Sequence, residues 1–313
     1  MPTVQTAAMR RTMEAEMEIT KNGMFAIAGR PNVGKSTLIN AIAGAKVAIV
    51  SDKPQTTRNR ITAVCTRGNC QFVFLDTPGF HRPRTRLGEF MNGVVSESVA
   101  DVDAVLLVVE PVAEVGKGER MLIDKLRAAQ MPAILVINKM DSVPKDRMLE
   151  VAAVYREEYD FADYIPLSAL EGDGIELLLD MLERFAQEGP ALFPEGMVSD
   201  QPVRQLAAEI VREKMLLALD KEIPHGVAVE IEKFENENGH LSIAATIYCE
   251  KESHKGIIIG KNGSMLRRIG AEARQDIERL TGEKVYLQTW VKVKENWRQS
   301  AAQLRNFGYS SEA

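Results

Sequence analysis

The sequence predicts two domains: an α/β domain with a mostly parallel sheet and one antiparallel edge, then a smaller α+β domain. Three observations carry this. From Met24 onward, short apolar runs alternate with amphipathic stretches, as parallel strands joined by helices do. Between residues 187 and 202, Gly189, Pro190, Pro194, Gly196 and Pro202 interrupt both helix and strand. Beyond them the order becomes helix, strand, strand, helix, glycine loop, helix, strand. The expected divisions are a tail at 1–21, a first domain at 22–186, a linker at 187–202 and a second domain at 203–313 that ends in a tail helix.

In the first domain, strands are expected at 25–28, 60–66, 71–75, 104–109, 133–137 and 164–166. The runs at 104–109 and 133–137 are apolar throughout, as strands buried on both faces are. Both are far shorter than the roughly 20 residues that cross a bilayer. Arg67, Gly68 and Asn69 separate the second and third strands by a hairpin-sized turn, which makes that pair the antiparallel edge. Helices are expected after Gly34, from near Gly116, and over 145–159 and 174–185.

In the second domain a helix at 203–219 precedes strands at 227–234 and 241–248, joined by a turn containing Asn236, Asn238 and Gly239. A short helix, a loop at 260–263, a helix at 264–280 and a strand at 284–293 follow, with a last helix over 296–307. Leu266, Ile269, Ala273, Ile277 and Leu280 recur at helical spacing and form the expected buried face. Arg274 and Arg279 then belong to a solvated face. Trp290, on the last strand, is expected in the core rather than stacked on a base.

With 45% apolar and 27% charged residues, the composition is that of a folded globular protein. Arg10 and Arg11 precede an alternation of Met and Glu rather than the apolar core of a signal peptide, so a cytoplasmic location is expected. Cys65, Cys70 and Cys249 lack the spacing of a zinc site or disulfide framework, and His225, His240 and His254 lack that of a metal site. The net charge is −5, yet residues 251–313 carry 12 Lys and Arg against 7 Asp and Glu, leaving −10 for the rest. Any polyanion is therefore assigned to the C-terminal part.

Gly29, Arg30, Pro31, Asn32, Val33, Gly34, Lys35 and Ser36, followed by Thr37, match the phosphate-binding P-loop between a predicted strand and a predicted helix. The glycines let successive N–H groups face a phosphate, and the helix N-terminus adds its partial positive charge. Lys35 is assigned to the β- and γ-phosphates and the Ser36 hydroxyl to Mg²⁺. Asn138, Lys139 and Asp141 follow a strand, where the Asp141 carboxylate matches the N1–H and 2-amino donors of guanine, which adenine lacks. GTP and GDP are therefore the expected ligands, against the rival of a P-loop kinase or ATPase. Ser168, Ala169 and Leu170 follow the next strand and place a backbone N–H for the guanine O6.

Asp76, Thr77, Pro78 and Gly79 also end a strand; Asp76 is assigned to Mg²⁺ through a water, and the Gly79 N–H to the γ-phosphate. In the run Lys53, Pro54, Gln55, Thr56, Thr57, Arg58, one threonine is expected to ligate Mg²⁺ in the GTP state, Thr57 in preference to Thr56. The place after the glycine, where many switch GTPases carry a water-orienting glutamine, is held by Phe80. An apolar ring cannot orient water, so slow intrinsic turnover is expected. The neighbouring His81 is not assigned as a base, because phosphoryl transfer depends mainly on positioning and charge. Arg82, Arg84 and Arg86 are read as a solvated loop.

In the second domain, Gly256 to Ile259 lead into Gly260, Lys261, Asn262 and Gly263, with Arg267 and Arg268 beyond. GxxG alone arises by chance about once in a chain this long, so its place between two helices supplies the information. There the glycines admit a nucleic-acid backbone, and Lys261 meets its phosphates.

These motifs in this order resemble the translation-factor-related bacterial GTPases. The pattern GRPNVGKSTLIN, KPQTTRNRI, DTPGFH, NKMD and SAL is similar to that of the Era family of ribosome-assembly GTPases, over residues 24–185. Residues 203–295 resemble a type II KH domain, which binds about four nucleotides of single-stranded RNA. The resemblance implies a P-loop GTPase domain followed by an α+β type II KH domain. It implies 16S ribosomal RNA and the 30S subunit as partners, a monomer, and a peripheral association with the cell membrane. It also implies that the C-terminal tail helps bind the 3′ end of that RNA. Several relatives with an apolar residue in place of the glutamine bind a monovalent cation near the P-loop asparagine, so potassium at Asn32 is a further expectation. The rival within this frame is an RNA-binding scaffold whose nucleotide is structural.

Overall fold

A computed structural model describes residues 18–78, 86–87, 91, 102–237 and 239–309. In the first domain the strands are Lys21–Ala28 (β1), Ile61–Arg67 (β2), Cys70–Asp76 (β3), Ala104–Val109 (β4), Ala133–Ile137 (β5) and Asp163–Pro166 (β6). They lie in the order β2-β3-β1-β4-β5-β6. Only the β2–β3 hairpin in that path is antiparallel. The helices are Lys35–Ala43 (α1), Lys117–Ala129 (α2), Asp146–Glu158 (α3) and Ile175–Leu182 (α4). The helix expected to reach residue 185 ends at Leu182 and tightens into a 3₁₀ turn.

Alternate residues of β1 and β4 enter opposite cores. Phe25, Ile27, Leu106 and Val108 meet α1 and α4 on one face. Ala26, Ala28, Leu107 and Val109 meet α2 and α3 on the other. All six residues of β4 are buried, which is why its sequence is apolar without alternation. β1 begins at Lys21, four residues before its expected start, because residues 21–24 gain backbone pairing with β3 without contributing an apolar run.

The segment expected as a linker is strapped to the first domain. Gln187–Glu188 (β7) pairs antiparallel with the start of β1. The buried Gln71 amide then accepts from the Leu192 and Phe193 N–H groups (2.8 and 2.9 Å) and donates to the Phe193 carbonyl (2.9 Å). Further on, the Val64 N–H donates to the Val198 carbonyl at 2.9 Å, and Ser199 Oγ to the Thr62 carbonyl at 2.7 Å.

The second domain runs Val203–Ala218 (α5), Ala228–Glu237 (β8), His240–Cys249 (β9), Glu252–Ile259 (α6), Ser264–Thr281 (α7), Val285–Val293 (β10) and Ala301–Asn306 (α8). The sheet order is β10-β9-β8, with β9 and β10 parallel and β8 and β9 antiparallel. Residues from α5, α6 and α7 share one core with the sheet. Burial of Val285 fixes the parity of β10, so Tyr286 and Trp290 stand on the opposite, open face at 58% and 44% exposure. Trp290 is thus not the core residue expected from sequence. Trp297 takes that role, fully buried with its indole N–H donating to the Gly226 carbonyl at 2.9 Å. Trp297 clusters with Leu87, Met91, Ala228, Leu304 and Tyr309, so the C-terminal tail packs against residues that follow Asp76 to Gly79 in the first domain.

Candidate nucleotide site and nucleic-acid interface

The loop after β1 folds back tightly onto the sheet and the neighbouring motifs. A Cβ on Gly29 would meet the Val108 carbonyl at 2.4 Å, and one on Gly34, at φ 97°, would meet Asn138 Nδ2 at 2.2 Å. Neither position has room for another residue. Lys35 lies buried inside the loop, its ammonium donating to the Gly29 and Arg30 carbonyls at 3.1 and 2.9 Å. Burial pushes its pKa down to about 8, against the opposing pull of Asp76. Pro31, Asn32, Lys35, Ser36 and Thr37 line a cleft of about 300 Å³ with Lys53, Thr56 and Thr57.

The residues that follow β5 and β6 are bonded to this loop. Asn138 Nδ2 donates to the Val33 carbonyl at 2.8 Å, and Asn138 Oδ1 accepts from the Ala169 N–H at 3.0 Å. Lys139 Nζ donates to the Asn32 carbonyl at 2.8 Å and pairs with Glu110 at 2.5 Å. Asp141 Oδ1 accepts from Ser168 Oγ at 2.6 Å, while Leu170 stays 75% exposed at the turn. Three motifs, bonded across separations of 105 and 31 residues, thus form one frame.

Ser36, Thr57 and Asp76 converge beneath the phosphate loop. Ser36 Oγ lies 2.8 Å from Thr57 Oγ1 and donates to Asp76 Oδ2 at 3.1 Å, and Thr57 Oγ1 donates to the same oxygen at 3.3 Å. Asp76 Oδ1 is buried and has no hydrogen-bond partner. Burial raises the Asp76 carboxyl to about 6, offset in part by Lys35. Hard oxygen donors around an orphaned carboxylate oxygen fit Mg²⁺, which takes such ligands. Thr56 is turned elsewhere, with its hydroxyl on Ser51 Oγ (2.7 Å) and the Lys53 carbonyl (2.6 Å). Of the two threonines the structure brings Thr57 to the cluster. Thr77 Oγ1 anchors the end of β3 on the Ile27 carbonyl at 2.8 Å, beside the buried Pro78. Gly79, Phe80, His81, Arg82 and Arg84 lie outside the described residues.

In the second domain, Gly260, Asn262 and Gly263 take φ values of 72°, 52° and 76°. A Cβ on Gly260 would sit 2.7 Å from that of Met265. A groove of about 470 Å³ opens beside Asn262 and Gly263, lined along α7 by Leu266, Arg267, Gly270 and Arg274 and along β10 by Leu287 and Thr289. Arg267 donates back to the Asn262 carbonyl at 2.7 Å, and Lys261 is exposed at the loop tip. Gly256, Ile259 and Arg268 do not line this groove. Arg274 does, and its side chain is 41% exposed, in keeping with the solvated face expected, and pairs with Glu278 at 3.0 Å. Arg279 is solvated as expected, its side chain 76% exposed.

No group of His, Cys, Asp and Glu suited to a metal occurs among the described residues. The three cysteines are free; Cys70 and Cys249 are buried, and burial pushes all three thiols up, Cys70 to about 11. No helix among the described residues is long and apolar enough to cross a membrane. Sequence reasoning gave no role to Arg58, Arg212 and Glu213, three buried charged residues where the domains meet. Arg58 falls within the run 53–58, but no local motif marks Arg212 or Glu213.

Residues 24–139 match the family described as 50S ribosome-binding GTPase, and residues 222–298 match the KH domain. The chain is 51% identical over 293 residues to GTPase Era of Clostridioides difficile (strain 630), covering 93% of this chain and 99% of that protein. It is 50% identical to GTPase Era of Ruminiclostridium cellulolyticum over 292 residues, 93% and 98% of the two chains. Among solved structures, a variant of Aquifex aeolicus Era bound to GDP and aluminium fluoride matches with a TM-score of 0.89 at 36% identity, covering 93% of this chain and 99% of that one. Era in complex with MgGDPNP and nucleotides 1506–1542 of 16S ribosomal RNA matches with the same score and coverage at 37% identity. With half of its residues shared over nearly its whole length, and with a GTPase family match followed by a KH match, the chain belongs to the Era family of GTPases.

Proposed function

We propose that this chain is a GTP-hydrolysing switch that binds 16S ribosomal RNA through its second domain and assists assembly of the 30S subunit. The observation that carries the switch is the convergence of Ser36, Thr57 and Asp76 beneath the phosphate loop, with Asp76 Oδ1 lacking a protein partner. Ser36 and Thr57 hold Mg²⁺ through their hydroxyls, and Asp76 through a water. Bound there with GTP, Mg²⁺ supplies neutralisation of charge on the terminal phosphates. Lys35, kept desolvated, meets the β- and γ-phosphates, and the Gly79 N–H senses the γ-phosphate. The loop from Gly29 to Thr37 wraps the phosphates, and Thr77 and Pro78 hold the strand end that presents Asp76. Asn138 and Lys139 brace the base pocket, Asp141 reads guanine, and an N–H of the turn 168–170 meets O6.

Thr57 stands on a loop, so its release after hydrolysis is the step that changes the molecule. Asn32 donates to the Asp52 carbonyl, which brings the P-loop asparagine to that same loop and supports potassium as an activating ion there. Equal hydrolysis rates in potassium and sodium chloride would overturn that part. The RNA site is the groove beside Gly260 to Gly263, with Lys261, Arg267 and Arg268 supplying charge and Gly256 and Ile259 the supporting helix. A cytoplasmic monomer with a peripheral membrane contact completes the reading.

The test is single-turnover GTP hydrolysis with and without an RNA carrying the 3′ end of 16S ribosomal RNA. The switch requires RNA to alter nucleotide affinity or hydrolysis, because coupling is reciprocal. If RNA changed neither, a scaffold with a structural nucleotide would be the correct description.

A further inference from the structure

Helix α5 of the second domain packs against the loop that carries Thr56 and Thr57 beside the nucleotide site. Arg212 on that helix is fully buried. Its guanidinium is held by Glu209, one turn back, through Nε at 2.9 Å and through Nη2. Thus fixed, it donates through Nη1 to the Gln55 carbonyl at 3.4 Å and through Nη2 to the Thr56 carbonyl. The next residue, Glu213, is 4% exposed and accepts from the Val50 N–H at 2.9 Å and Lys46 Nζ at 2.6 Å. One turn of α5 therefore grips both ends of the segment 50–56.

On the far side of Thr57, Arg58 is 1% exposed and buried against the second domain. It donates to the Val227 and His225 carbonyls at 2.7 and 3.0 Å, with its guanidinium 5.7 Å from the ring centres of both Trp297 and Tyr309. Thr57 is thus the residue between two points that the second domain holds. The carbonyl gripped by Arg212 belongs to the same planar peptide unit as the Thr57 N–H, so fixing that oxygen fixes the plane from which Thr57 projects.

We propose that Arg212 is a positioning residue for GTP hydrolysis, orienting from the second domain the peptide that presents the Thr57 hydroxyl to Mg²⁺. This rests on the reading of Thr57 as a Mg²⁺ ligand. It makes the hydrolytic geometry a joint product of both domains, with Arg212 the contact through which one reaches the other.

The experiment compares wild type, Arg212→Met, Arg212→Lys, Glu209→Gln and Thr57→Ala in the full chain. It reads kcat for GTP hydrolysis, affinity for fluorescent GDP, the Mg²⁺ dependence of GTP-analogue binding, and hydrogen exchange of the amides of residues 53–58. A hydrogen bond from a charged group, once lost, corresponds to roughly a tenfold effect or more. Arg212→Met is expected to lower kcat and raise the Mg²⁺ requirement by about tenfold, and to speed exchange in 53–58, with GDP affinity within about threefold. Arg212→Lys, which keeps one donor, recovers part of kcat. Wild-type kcat and Mg²⁺ dependence in Arg212→Met would overturn the proposal, as would a parallel loss of GDP affinity and hydrolysis. If Arg212→Met fails to fold, Glu209→Gln loosens the same guanidinium; it should show the same pattern more weakly, and wild-type behaviour there overturns the proposal too. If Thr57→Ala hydrolyses GTP with wild-type Mg²⁺ dependence, the premise about Thr57 falls instead, and the proposal with it.

Discussion

Asn138→Ala removes the staple between the phosphate loop and the loops that follow β5 and β6. Asn138 is 2% exposed, and its amide spans the Val33 carbonyl and the Ala169 N–H, both internal to the protein. Each lost bond removes about 1 kcal/mol, and each partner left buried and unpaired adds a penalty of similar size or larger. The sum is about 4 kcal/mol. For a domain of this size that lowers the melting temperature by roughly 8–16 °C. Because both partners are protein groups, the loss appears in thermal or urea denaturation of the nucleotide-free chain as well as in nucleotide affinity. Circular dichroism melts and fluorescent GDP titrations read the two separately. If the variant melts with wild type while GDP binding collapses, Asn138 is a direct ligand and not a staple, and the reasoning is wrong.

Asp141→Asn replaces the proposed acceptor of guanine donors, so GTP affinity should fall by a factor on the order of 10³ and xanthine nucleotide should compete, as read by displacement titrations; unchanged base preference contradicts the assignment. Gly260→Ala forces a side chain against Met265 at a φ of 72°, so filter binding should show lost RNA affinity at unchanged GTP affinity. Lys261→Ala should weaken RNA binding and reduce its salt slope by about 0.7, the loss of one phosphate contact. His225, half-buried beside Arg58, is held below the usual imidazole range first by burial and then by nearby cations including Arg58, against the pull of Glu222. Its unfolded form binds a proton as pH falls through about 6.5, so stability present above that pH is lost below it. Between pH 7.5 and 5.5 the urea midpoint of wild type should therefore fall more than that of His225→Gln; parallel curves would refute the shift.

The nucleotide site was legible because its chemistry is local. Each motif is a few residues at the end of a buried strand, and strand ends are where apolar runs such as 133–137 stop. The preference for Thr57 over Thr56 agreed with the geometry for a reason no sequence states: Thr56 is spent on Ser51 and Lys53. What escaped was non-local. Trp290 was misplaced because a tryptophan in an alternating strand does not say which face is covered, and Val285 decides that. The groove beside Arg274 went unseen because helical spacing separates buried from exposed but does not reveal a groove between helix and strand. Arg212 reads in sequence as one more charge on an amphipathic helix; only the loop of the other domain, about 156 positions away, makes it a buried donor.

The contacts of Arg58 have a bearing on synthesis. Its partners Val227, Trp297 and Tyr309 lie 169 to 251 positions downstream, so a ribosome has made the entire first domain before any of them exists. Domains fold as units from the N-terminal side during translation. A nascent chain can therefore close its sheet and phosphate loop while the segment bearing Thr57 still lacks its anchors. On this order of events GTP binding is acquired first, and the anchored arrangement around Thr57 waits until the RNA-binding domain has emerged and docked.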